Sequence, residues 1–190
     1  MPHQHTLQRL PKLSFLEHSA QHLKGLKANL TCSATHHPIN HTAMTPTDIF
    51  THNRVILTHF DSYSAALLFP RWEQTLLWPA ALPASATPMR SPAVITPEFS
   101  GQAVKQAVVD VCGFDPDTLE RVNEFNHWAQ TEDGPVRIHL LRFTTRDAPK
   151  AAIEALGGEF QPISLLRSSA MSELVLLREV FNLIVSAGVP

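Results

Sequence analysis

The chain has 190 residues with 44% apolar side chains, enough for one domain with a sizeable core plus an extension. Its 15 basic and 17 acidic residues leave a formal charge of -2, which gives no long-range pull toward nucleic acid or an anionic membrane. Two cysteines, Cys32 and Cys112, exclude a disulfide scaffold, and neither a membrane-length apolar run nor a secretory h-region is visible, so a reduced, cytoplasmic setting is expected.

Residues 1–45 stand apart from the rest. Arg9, Lys12, Lys24 and Lys27 face the single acid Glu17, and seven of the eleven histidines fall here. Leu16, Leu23, Leu26 and Leu30 trace a weak helical pattern, while the composition as a whole predicts a flexible N-terminal arm. His36, His37 and His41 lie close together, but Pro38 disfavours the helical conformation at His37 that a zinc-binding pair needs. A compact domain is expected over 46–190.

That domain opens with two strand-like runs, RVILTHF (Arg54 to Phe60) and SAALLF (Ser64 to Phe69), split by Asp61-Ser62. TLLWPA (Thr75 to Ala80) is a third. Pro79, Pro83, Pro88, Pro92 and Pro97 then exclude a continuous helix or a central strand. From Ser100-Gly101 onward, Ala103, Val104, Ala107, Val108 and Val111 predict an amphipathic helix that stops at Gly113, with Pro116 blocking its return. Leu119, Val122, Phe125 and Trp128 predict a short second helix over Asp117 to Ala129. PVRIHLLRFTT (Pro135 to Thr145) is the clearest strand, with Val136, Ile138 and Leu140 alternating against Arg137, His139 and Leu141. AAIEALGG is a brief helix closed by Gly157-Gly158, and EFQPISLL is a short strand or link. Ser169 to Val185 is the last helix, with Leu174, Leu177, Phe181 and Ile184 on one stripe.

The stretch PEFSGQAVKQAVVDVCGF (Pro97 to Phe114) resembles the signature helix of the Nudix family. That box reads glycine, five residues, glutamate, seven residues, Arg-Glu, an apolar residue, any residue, Glu-Glu, any residue, then glycine and an apolar residue. With Gly113-Phe114 as its closing pair, Glu98 falls on the isolated glutamate, Val108 on the apolar position and Asp110 on the first paired acid. Pro92 stands for the opening glycine, Gln106 for the arginine, Ala107 for its neighbouring glutamate and Val111 for the second paired acid. FQPISLLRSSAMSELVLLREVF is similar to the family's closing segment, so the resemblance spans about 52–187. It implies an α/β fold, a Nudix-type α/β/α sandwich with a mixed β-sheet.

The family's acids hold divalent metal against a pyrophosphate. Glu98 and Asp110 are the box-matched candidates for catalysis and for binding Mg2+ or Mn2+, and two carboxylates hold such an ion only loosely. The loss of acids at Ala107 and Val111 implies a non-catalytic homologue, a pseudoenzyme binding a nucleotide-like ligand, a metabolite or a protein partner. The alternative is a metal-dependent pyrophosphohydrolase of nucleoside-diphosphate-linked substrates, using Glu98, Asp110 and acids outside the box. A third reading is a structural subunit that pairs as a homodimer. Arg137 and Arg142, with Arg146, are the candidates for binding phosphate, against the commoner reading of a solvated strand face. His59 and His139 read as hydrogen-bonded core histidines. Cys112 sits at a helix C-terminus, where the dipole disfavours a thiolate nucleophile.

Overall fold

The apolar run after Asn53 has hydrophobic residues in succession rather than in alternation, the pattern of a strand covered on both faces. It forms β1 (Asn53–Asp61), in which every residue from Val55 to His59 is buried. The structure, a computed structural model, describes residues 48–186, so the arm expected over 1–45 and its His36, His37 and His41 lie outside the described residues. A turn in which Asp61 accepts from the Tyr63 amide and the Ser64 hydroxyl leads into β2 (Ala66–Arg71), antiparallel to β1. β3 (Leu77–Trp78) pairs with the first half of β1, and β4 (Thr87–Met89) is an edge strand, where Pro88 is tolerated.

Beyond the first long helix come β5 (Leu119–Arg121), β6 (His127–Thr131) and β7 (Gly134–Phe143). β7 runs parallel to β1, from Asn53 opposite Arg137 to His59 opposite Phe143, whereas the other pairings are antiparallel. β8 (Glu159–Pro162) closes the far edge beside β2. The result is an open mixed sheet with the order β4-β6-β7-β1-β2-β8, to which β3 and β5 add alongside β1 and β7.

Among the described residues, three α-helices cover this sheet. α1 (Gly101–Cys112) starts at the N-cap Ser100, whose hydroxyl accepts from the Ala103 amide, and ends at Gly113 with φ 69°. Its Val104, Ala107, Val108 and Val109 pack with Val55, Leu57, Leu141 and Phe143. Each fully buried valine contributes roughly 1.5–3 kcal/mol. α2 (Lys150–Ala155) adds Ile153 to the same cluster. α3 (Met171–Ser186) lays Leu176, Leu177, Val180 and Ile184 against Ile56, Phe69, Ile138 and Leu140. Because successive strand residues point to opposite faces, the two clusters lie on opposite sides of the sheet. The buried Glu173 carboxylate ties α3 down by accepting from the Thr75 hydroxyl and the Leu76 amide. No described helix is long and apolar enough to cross a membrane.

Four details differ from the sequence expectations. No helix forms over Asp117 to Ala129: a single turn at Pro116–Thr118 leads into β5, and β6 follows. The edge of β7 that β1 does not occupy wins that segment, because pairing there buries Leu119 and Trp128. The stripe of α1 is Val104, Ala107, Val108 and Val109, whereas Ala103 is exposed and Val111 is 47% exposed. On α3, Val180 and Leu176 point inward, and Phe181 is exposed. The Arg137, His139, Leu141 face of β7 is not solvated, since α1 covers it and both His139 and Leu141 are buried.

Leu140→Asp and Leu141→Asp, on opposite faces of β7, are therefore expected to cost similar amounts, several kcal/mol each, because each buries an unpaired carboxylate. Urea melts in which Leu141→Asp was nearly neutral would contradict a sheet covered on both sides.

A candidate anion site at the start of α1

Asn53, the first residue of β1, is fully buried and satisfies all its polar atoms. Its Nδ2 donates to the Ile49 carbonyl at 2.7 Å and to the Glu98 carbonyl at 2.9 Å. Both amide hydrogens are thereby used, so Oδ1 accepts from His139 Nε2 at 2.8 Å. This fixes the neutral tautomer of His139, with the proton on Nε2 and a lone pair on Nδ1. His139 is the hydrogen-bonded core histidine its strand position predicts. Its pKa is pushed down to about 3, first by burial and then by the Arg137 and Arg121 guanidinium groups.

Those two arginines reach the same place from different strands. Arg121 lies opposite Leu141 across the β5–β7 pair, so it shares the α1 face with Arg137 and His139. Arg137 Nη1 donates to the Phe99 carbonyl at 2.8 Å, its guanidinium lies 5.4 Å from the Trp128 ring centre, and its Nε is buried without a partner. Burial and the nearby Arg121 lower the Arg137 pKa. Neither guanidinium has a carboxylate within ion-pair distance among the described residues, where the two ion pairs are His127 with Glu179 and Arg142 with Glu120. Gly101 completes the enclosure, since a Cβ there would lie 2.8 Å from Arg121 Nη1 and 3.4 Å from His139 Nδ1. Between these groups lies a cavity of about 20 Å³, lined by Gly101, Arg121, Asn123, Arg137 and His139 among others. That is room for about one water-sized atom.

The box-matched acids lie elsewhere. Glu98 sits in a separate turn, Pro97–Phe99, ahead of α1, where a Thr96 hydrogen bond lowers its pKa. Asp110 is exposed near the other end of α1 and accepts from Gln106 Nε2 at 2.8 Å. From Gly101 to Asp110 the helix rises about 13 Å, so the two acids sit near opposite ends of α1. No group of three or more His, Cys, Asp or Glu side chains that could hold a metal ion occurs among the described residues.

Arg142 points to the opposite face from Arg137, into a cleft of about 650 Å³ beside the end of α3. Glu120 takes its guanidinium at 2.9 Å, and Arg121, Glu124 and Glu179 line the same cleft. His59 is buried with no partner on either ring nitrogen, unlike the hydrogen-bonded histidine expected there. Burial raises the Cys112 thiol to about 12, so it is inert as a nucleophile. Arg121, Asn53 and Gly101 were not singled out by sequence. No linear signal marks them, because the β5–β7 pairing and α1 bring them together. No protein-family model matches the chain, and no curated protein matches it.

The fold holds His139 neutral, with its pKa near 3 against about 6.5 when unfolded. Its contribution is fully present above pH 6.5 and is lost as pH falls toward 3, because the unfolded chain binds the proton first. Wild type is expected to lose up to about 1.4 kcal/mol per pH unit more than His139→Gln between pH 6.5 and 4. Parallel slopes in urea melts across that range would show that His139 is charged in the fold.

Proposed function

We propose that this chain is a Nudix-type α/β/α domain that has lost metal-dependent hydrolysis and binds a nucleotide-like ligand. Support for the fold reading comes from the mixed sheet between α1 and α3, and from the buried Phe114 that follows the left-handed Gly113 as the box's closing pair. The observation that carries the loss of chemistry is Ala107. It is buried among Val104, Val108 and the sheet, at the position where the box places a glutamate. Metal in an active member offsets charge on the pyrophosphate and positions the attacking water. Among the described residues no group of three or more His, Cys, Asp or Glu side chains is set to do either. The uncompensated arginines at the other end of α1 supply a place for an anionic ligand instead.

Assays with nucleoside triphosphates, dinucleoside polyphosphates, ADP-ribose and sugar nucleotides, in magnesium or manganese, are expected to show no turnover above background. A rate near the typical enzyme median of roughly 10 per second on any of them would overturn the proposal.

A further inference from the structure

We propose that the pocket formed by Arg121, Arg137, His139 and the first turn of α1 binds a phosphate group that still carries a proton, with that proton donated to His139 Nδ1. The proposal rests on the ligand-binding reading above and names the chemical group this site takes.

Three independent features converge here. Two guanidinium groups, Arg121 and Arg137, share a site with no carboxylate in ion-pair range among the described residues, and each raises the cost of the other's charge. An oxyanion between them removes that repulsion. The first-turn amides of Gly101 and Gln102 have no acceptor within their helix, and the helix dipole adds partial positive charge beside them. The third feature sets the specificity. His139 is 6% exposed, its Nε2–H is used by Asn53, and its unpartnered Nδ1 lines the cavity as a hydrogen-bond acceptor.

An acceptor set beside two guanidinium groups discriminates among oxyanions. Sulfate and carboxylates carry no proton near neutral pH and would set an oxygen lone pair against the Nδ1 lone pair. A phosphate or phosphate monoester has its second pKa near neutrality, so its protonated form offers both charged oxygens and one O–H donor. The cavity of about 20 Å³ accepts one such oxygen. The remainder of the group lies toward the half-buried Arg121 and the exposed Asn123.

Calorimetric titration of the full chain at pH 7 tests this, with sodium phosphate, sodium sulfate and a nucleoside monophosphate at matched ionic strength. Saturable phosphate binding is expected, with sulfate weaker by about tenfold or more. Arg121→Gln is expected to weaken phosphate by a similar factor. Gly101→Ala should do the same, because its methyl carbon would lie 2.8 Å from Arg121 Nη1 and push the guanidinium away. Tighter binding of the monophosphate than of the free ion would assign an ester as the ligand, and the reverse would assign inorganic phosphate. Sulfate binding as tightly as phosphate, an unaffected Arg121→Gln, or the absence of saturable phosphate binding would each overturn the proposal. Metal-dependent turnover would count against the non-catalytic reading alone, so the two failures are distinguishable.

Discussion

The carboxamide of Asn53 is the constraint on which the rest of the site depends. Three partners, the Ile49 and Glu98 carbonyls and the His139 ring, meet one fully buried side chain at 2.7 to 2.9 Å. Leaving any of these buried polar groups unpaired costs on the order of 1–3 kcal/mol, so the arrangement is strongly preferred over its alternatives. Through Glu98 it sets where the chain enters α1. Through His139 it sets which ring nitrogen faces the cavity. The backbone pairing of Asn53 with Arg137 places the stacked guanidinium beside them.

Burial of β1 and β7 on both faces converts this local geometry into chemistry. A half-exposed sheet would leave Arg137 and His139 in water, where their charges are screened. With α1 laid over them, burial lowers both pKa values, and the field of Arg121 adds to each. The same covering helix keeps Ala107 in the core, beside Val104 and Val108.

Much of the fold was legible in the sequence. The apolar runs of β1 and β2, the proline-punctuated loop, the α1 boundaries at Ser100 and Gly113, and α3 follow from periodicity and capping chemistry. The segment from Asp117 to Ala129 was not legible, because Leu119, Val122 and Phe125 fit a helical spacing and only the open edge of β7 selects strands. The faces of β7 were misread for a related reason. Alternation in PVRIHLLRF suggests one wet face, but the long-range packing of α1 decides it. The site was the least legible part. Arg137 was marked for phosphate, whereas its partners Arg121 and Gly101 are brought to it by the β5–β7 pairing and by α1, contacts that no linear spacing encodes.

The central claim is that Asn53 holds His139 as a neutral ring with a free Nδ1 between two arginines. Imidazole nitrogen-15 chemical shifts of His139 at neutral pH report this directly. The account predicts a protonated, pyrrole-type Nε2 and an unprotonated, pyridine-type Nδ1 in the ligand-free protein. A proton on Nδ1, whether as the other tautomer or as an imidazolium, would contradict it.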